Sequence, residues 1–242
     1  MKSTNNKKSA FSIEGFEKGL MLAGFISPAS VSDIQERQKL EKYEKMLKSE
    51  KKNMYFKRVV LAAEIAFELH AEPTFGRIKF QKLVYLCEHA AQMDLQNRYL
   101  KQAAGPFDNK FMHSIEKEFA DQKWFVVEKI NDGKMNRSIY KPLSQVENYK
   151  PYFQSYFSRQ EENINYVVDL FRKEKTDITE IAATLHACLI ELKDTSSQFS
   201  LSDLFDKFYN WSDKKKRFNP SVVKKVWEWM IEKHLVNNPF LS

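Results

Sequence analysis

Two cysteines and five histidines are the side chains of this chain best suited to nucleophilic chemistry, in which an imidazole activates a thiol. Cys87 could pair with His113 if the fold brought the two together, and Cys188 could pair in the same way with His186. Both cysteines lie in apolar helical patterns, however, which favours buried structural thiols in a reducing compartment. The histidines have neither the spacing of a zinc-binding helix nor a clustered Cys/His pattern. The sequence therefore predicts no catalytic residue, no metal ligand and no cofactor; a hydrolase or nuclease with an unrecognised site is the enzyme alternative.

A basic cluster near the C-terminus is the best-defined candidate binding feature. The predicted DNA-contacting residues are Lys214, Lys215, Lys216, Arg217, Ser221, Lys224 and Lys225. The first four directly precede a predicted helix, whose N-terminus adds partial positive charge. Such side chains can neutralise phosphates, but phosphate contacts carry no sequence information. Residues 177–242 hold nine basic and nine acidic side chains, so an ordinary solvated loop is the alternative.

A charged segment at residues 31–54 predicts a helical arm, because it is dense in Lys and Glu and contains no Gly or Pro. Its apolar residues follow a heptad pattern for about two repeats, fewer than the roughly three that a coiled-coil assignment needs. We expect the arm to dock another helix. The candidate interface residues are Leu40, Tyr43 and Leu47 on the arm, and Arg77, Lys79 and Lys82 at the start of the helix after Gly76.

The stretch AAGPFDNKFMHSIEKEF, residues 103–119, raises the question of a nucleotide-binding loop, but each of its special residues has a structural explanation. Gly105 frees the backbone, Pro106 fixes φ, and Asp108 is placed to cap the helix that follows. The chain has no phosphate-loop, dinucleotide or kinase motif. Further along, two β-prone runs flank an Asn-Asp-Gly signal at residues 131–133 and predict a β-hairpin.

The predicted fold is mainly α. It consists of an N-terminal tail and helical arm at residues 1–54, a central helical domain with one β-hairpin at residues 55–175, and a winged-helix-like domain at residues 176–242. In the last domain, Ser200 with Asp203 and Asn219 with Pro220 predict helix starts.

Composition agrees with this class, since only 6 Gly and 7 Pro occur among 242 residues. A net charge of +7 favours acidic partners, nucleic acid first. The chain lacks a run of about 18 apolar residues, so we expect a cytoplasmic protein without a membrane partner.

Two stretches resemble parts of restriction-modification proteins. Residues 35–125, with GRIKFQKL at 76–83 and AGPFD at 104–108, resemble the C-terminal extension of some specificity (S) subunits of type I restriction-modification systems. Residues 179–236 are similar to a winged-helix-like ending found on several restriction and modification polypeptides. The segment at 76–86 also resembles helical antitoxin-like domains whose pattern contains KLQKLLY.

The resemblance implies a non-catalytic accessory factor of a restriction-modification or defence system that associates with DNA or docks on other subunits. Specificity subunits read DNA with two target-recognition domains separated by long helices, and 242 residues are too few for two such domains. Residues 31–54 would correspond to the end of a spacer helix. The expected partners are the DNA backbone, modification or restriction subunits, and a second copy bound through the arm. The alternative function is an antitoxin-like regulator that binds a protein partner.

Overall fold

The structure is a computed structural model that describes residues 28–94, 99–131, 136–195 and 198–237. The predicted N-terminal tail and the turn of the predicted hairpin, residues 132–135, lie outside the described residues. The chain divides into two compact units, residues 1–54 and residues 55–242.

Helix α1 spans Pro28–Leu69, which confirms that the Lys- and Glu-rich segment is helical. It contains no Gly, its only Pro is at the first position, and the next Pro follows its end at residue 73. Helix α2 (Arg77–Ala90) begins after a short turn and contributes a mostly buried surface from Phe80 to Glu88.

Two small antiparallel sheets follow. Strands β1 (Leu100–Gln102) and β2 (Gly105–Phe107) form the first, with Gln102 opposite Gly105. Strands β3 (Phe125–Asn131) and β4 (Asn136–Pro142) form the second, with Phe125 opposite Pro142. The second sheet confirms the predicted hairpin. The first corrects the prediction of a single hairpin, because the Gly-Pro step is itself strand.

The other helices are shorter than α1 and stand in chain order between and after the strands. They are α3 (Asn109–Asp121), a 3₁₀ helix (Val146–Tyr149), α4 (Lys150–Phe157), α5 (Glu161–Phe171), α6 (Thr176–Thr195), α7 (Leu201–Tyr209), a second 3₁₀ helix (Asp213–Arg217) and α8 (Pro220–Glu232).

Three predicted helix starts are confirmed by their caps. The Asp108 side chain accepts from the backbone N–H of Phe111 at the start of α3. Ser200 and Asp203 form a reciprocal capping box at the start of α7. The Asn219 side chain caps α8, with proline at the first helical position.

Helices α2 and α6 lie at the centre of the second unit, where α2 packs on α5, α6 and β2, and α6 also packs on α7 and α8. The buried apolar residues from Val59 to Val236 form one core. The protein is mainly helical, as predicted. A separate domain starting at residue 176 stays a prediction; the described residues from 176 to 237 contain helices and turns only. None of the helices in the described part of the chain is long and apolar enough to span a bilayer.

Candidate functional site

A buried charged network joins α1, α2 and the first hairpin. Arg58 of α1 donates to both carboxylate oxygens of Glu88, and its Nη1 donates to Asp108 Oδ2 at 2.6 Å. The Tyr99 hydroxyl donates to Glu88 Oε2 at 2.6 Å, and the guanidinium lies 4.0 Å above the ring of Phe111. Every charge in the network has a partner, as buried charges require. Sequence analysis missed this network, although a Glu in the apolar run LVYLCEHAA was a signal for it.

The Gly-Pro step is part of this packed region. Gly105 has a φ of +104°, and a Cβ added to it would lie 2.5 Å from Thr184 Oγ1 of α6. Lys82 Nζ donates to the carbonyl of Pro106 at 2.6 Å. Burial, together with the nearby Lys215 cation, lowers the pKa of Lys82 to about 7. The step therefore anchors the first hairpin on α2 and α6 and confirms the structural explanation of the motif.

The basic set after Gly76 is mostly internal, which corrects its assignment as an interface. Lys79 is fully buried and donates to Thr74 Oγ1 and to the carbonyls of Arg172 and Glu174, at 2.7 to 3.0 Å. Lys82 is 1% exposed. Both ammonium groups bind main-chain carbonyls inside the protein instead of a partner. Arg77 alone of the three reaches solvent, beside Glu116 at 2.9 Å.

The C-terminal basic cluster is divided between core and surface. Lys215 is fully buried, and its Nζ donates to Glu180 Oε1 at 2.7 Å. Arg217 lies 3.1 Å from the other oxygen of Glu180 and 3.0 Å from Asp177. Lys215 therefore belongs to a structural ion pair, and we remove it from the predicted DNA contacts.

The other predicted DNA contacts are exposed, but several are neutralised by neighbours. Lys216 lies 2.8 Å from Asp213, and Lys224 lies 3.8 Å from Glu228. Ser221 bonds the cap residue Asn219 through its backbone N–H and its hydroxyl. Lys214 and Lys225 are exposed and form no ion pair with any residue that the structure describes.

The helical arm carries a narrow apolar stripe that faces solvent. Leu40 is 59% exposed and Tyr43 is 55% exposed, while Leu47 and Met54 are half-buried. At 3.6 residues per turn these four positions fall within an arc of about 60°. Across the arm, residues 31–54, seven Lys and Arg stand against five Asp and Glu, a surplus of two positive charges. The arm is therefore a basic helix with one apolar edge.

The candidate thiol–imidazole pairs are not activated in this structure. Both cysteines are fully buried, and burial raises the pKa of the Cys87 thiol far above its usual range and that of Cys188 to about 12. Burial also lowers the pKa of His186 to about 3, and its Nδ1 is 2.9 Å from the Tyr85 hydroxyl. His113 is exposed on α3. Among the described residues, no cluster of three or more His, Cys, Asp or Glu could hold a metal ion.

Among the described residues of the second unit, a pair of grooves lies next to α2 and α6. The larger, about 470 Å³, lies at the N-terminal ends of α2 and α6. The smaller, about 330 Å³, lies between α2, β1 and α6, with Trp211 on its wall. In it Lys101 lies over the Trp211 ring and 2.9 Å from Glu191, whose other carboxylate oxygen is 2.9 Å from Lys207.

Comparison with known proteins gives no assignment: no protein-family model matches this chain, and no curated protein matches it.

Proposed function

We propose that this protein is a non-catalytic accessory factor of a restriction-modification or related defence system, and that it docks on another subunit of that system through the helical arm. The apolar stripe of Leu40, Tyr43 and Leu47, in which Leu40 and Tyr43 are exposed, carries the proposal. The resemblance to specificity subunits supports it, because the arm then corresponds to the end of a spacer helix.

The energetics of the stripe favour a helix as the bound element. An apolar edge at positions three and four residues apart fits the seam of a two-helix coiled coil, in which each side chain inserts between four residues of the facing helix. Burying an exposed Leu or Tyr side chain contributes about 1.5 to 3 kcal/mol. An isolated exposed Leu needs no explanation, but apolar residues aligned along one helix edge indicate a contact surface.

Co-assembly with the modification and restriction subunits of the same source tests the proposal. Leu40→Ser with Tyr43→Ser removes the apolar edge, and Lys42→Ser with Lys45→Ser makes the same replacement on the opposite face of the arm. We expect the wild type and the Lys42/Lys45 variant to co-elute with a subunit in size-exclusion chromatography with light scattering, and the Leu40/Tyr43 variant to elute alone. Docking through this edge would be contradicted if both variants still assembled with the subunit, or if neither did.

Association with the DNA backbone is a second candidate function, favoured by the exposed Lys214, Lys224 and Lys225 around the start of α8. We propose that α6, α7 and α8 form the helical part of a winged-helix-like arrangement in which the solvent face of α8 approaches DNA. The buried face of α8, with Val223, Val226, Trp227 and Met230, leaves the lysines outside. The two unpaired buried thiols suit a cytoplasmic location.

A salt series with a random-sequence duplex tests the DNA role. Replacing Lys214, Lys224 and Lys225 with Ala should reduce the slope of log affinity against log salt by about 2 to 3, because each phosphate contact contributes about 0.9. The matched control replaces three exposed lysines elsewhere, Lys110, Lys117 and Lys129. An equal reduction in both variants would remove the role of α8.

A further inference from the structure

We propose that the arm binds an amphipathic helix with acidic flanks and not a second copy of this chain. The inference rests on the proposed docking function and names the chemistry of its partner. It is carried by the charges that border the apolar stripe.

Between residues 37 and 54, the charged side chains of the arm point to solvent on all sides of the stripe. The cations are Arg37, Lys39, Lys42, Lys45, Lys48, Lys51 and Lys52, and all are exposed. The acidic residues in the same range are Glu41, Glu44 and Glu50. Two such arms side by side would double the surplus of two positive charges over residues 31–54, whereas an acidic helix would neutralise it.

The positions that flank the stripe are the ones that select a partner. With Leu40 at heptad position a and Tyr43 at d, the flanking positions e and g contain three cations, Arg37, Lys39 and Lys51, against one anion, Glu44. Charges at e and g set partner choice and orientation in coiled coils. A partner helix with Glu or Asp at these positions therefore gains attractive pairs along both edges.

A second copy brings like charges together in either orientation, in the seam of a parallel pair and at the flanks of an antiparallel pair. In a parallel pair, Glu50 at d lies opposite its own copy in the seam, which buries two like charges. In an antiparallel pair with Tyr43 opposite Leu47, the flanks bring Arg37 near Lys51 and Glu44 near its own copy. Each arrangement places like charges together, which destabilises the pair.

DNA is also acidic, but it does not use the apolar edge. Phosphate binding needs only the cations, and it leaves Leu40 and Tyr43 exposed. A helix with an apolar seam and acidic flanks covers both the stripe and the charges. The observations therefore favour a protein helix over nucleic acid for this surface.

Two synthetic peptides of about four heptads test the proposal; both carry Leu at a and d, and they differ only in Glu or Lys at every e and g. Binding of each labelled peptide to the full chain is measured by fluorescence anisotropy, from about 50 mM to about 500 mM salt. We expect the Glu peptide to bind at least about tenfold more tightly than the Lys peptide, because three cations and one anion flank the stripe. That preference should weaken as the salt concentration rises. The Leu40→Ser, Tyr43→Ser double variant should not bind the Glu peptide, whereas the Lys42→Ser, Lys45→Ser double variant should bind it more weakly than the wild type.

Several outcomes would overturn the proposal. These are equal affinity for the two peptides, no binding of either, displacement of the Glu peptide by duplex DNA, or sedimentation showing a dimer that the Leu40/Tyr43 variant abolishes. If the protein still co-assembles with restriction-modification subunits but the Glu peptide does not bind, the acidic partner is rejected and the docking function is kept. If the Glu peptide binds but the protein does not co-assemble with those subunits, the docking function is rejected and the preference for an acidic helix is kept.

Discussion

Replacing Gly105 with alanine tests whether the Gly-Pro step is a packed structural element. Two costs add at this position. At a φ of +104° a residue with a Cβ is strained, by about 1 to 2 kcal/mol. The new Cβ would also lie 2.5 Å from Thr184 Oγ1, and overpacking of this kind costs about 1 to 3 kcal/mol.

The neighbouring hydroxyl cannot retreat without loss. Thr184 is fully buried, and its Oγ1 donates to the carbonyl of Glu180 at 2.7 Å. Alanine also restricts the unfolded chain, which offsets about 0.4 to 1 kcal/mol. We therefore expect Gly105→Ala to lower the free energy of unfolding by about 2 to 4 kcal/mol, and Tm by about 5 to 15 °C.

Urea unfolding followed by circular dichroism measures this change. Gly76→Ala is the matched control, because Gly76 has an extended φ of −158° and a Cβ there would meet nothing closer than the Ser138 carbonyl at 3.9 Å. It should change stability by less than about 1 kcal/mol. Thr184→Ala in the Gly105→Ala background should recover the part due to the clash and leave the part due to φ. Equal stability of the two glycine variants would refute the reasoning.

Three further changes test the buried charges. The pKa of Lys82 is about 7 in the folded chain and near 10.5 when unfolded, so between these values the unfolded state binds more protons and stability is lost as pH falls toward 7. The free energy of unfolding should therefore rise by roughly 1 kcal/mol per pH unit from about pH 7 to pH 9. In Lys82→Met the rise should be smaller. Asp108→Ala removes the α3 cap and one partner of Arg58, so it should lower the free energy of unfolding measured with urea by about 2 to 4 kcal/mol. Asp108→Asn keeps the cap and should lower it by less. Lys215→Ala leaves the 2% exposed Glu180 with only Arg217 as a partner, so it should lower the free energy of unfolding by about 2 to 4 kcal/mol. Below Tm, the salt dependence of DNA binding should stay unchanged. A change in the slope of log affinity against log salt would contradict the burial of Lys215.

The features that sequence predicted well depend on local interactions. The caps at Asp108, Ser200 and Asn219 need only side chains and amides two or three residues away. The long α1 follows from a segment rich in helix-forming residues and free of internal Gly and Pro. The β3–β4 hairpin follows from β-prone runs around a turn signal.

The burial of three lysines could not be predicted in the same way. Lys79 and Lys82 bind main-chain carbonyls of residues 24 to 95 positions away, and Lys215 pairs with Glu180 across 35 positions. Lysine side chains are mostly exposed in folded proteins, and these three are buried only because of tertiary contacts with residues distant in sequence. The first hairpin was missed for a related reason: its strands have only three residues each, and β2 contains Gly and Pro, so neither shows an alternating pattern.

Amide hydrogen exchange of the full chain, alone and with the modification subunit of the same source, tests the docking claim most directly. The account predicts slower exchange in residues 37–54 when the subunit is bound, and the Leu40/Tyr43 double serine variant should lose this protection while the Lys42/Lys45 variant keeps it. Protection confined to residues 214–225, or unchanged exchange in the arm of a complex that forms, would contradict docking through the apolar stripe.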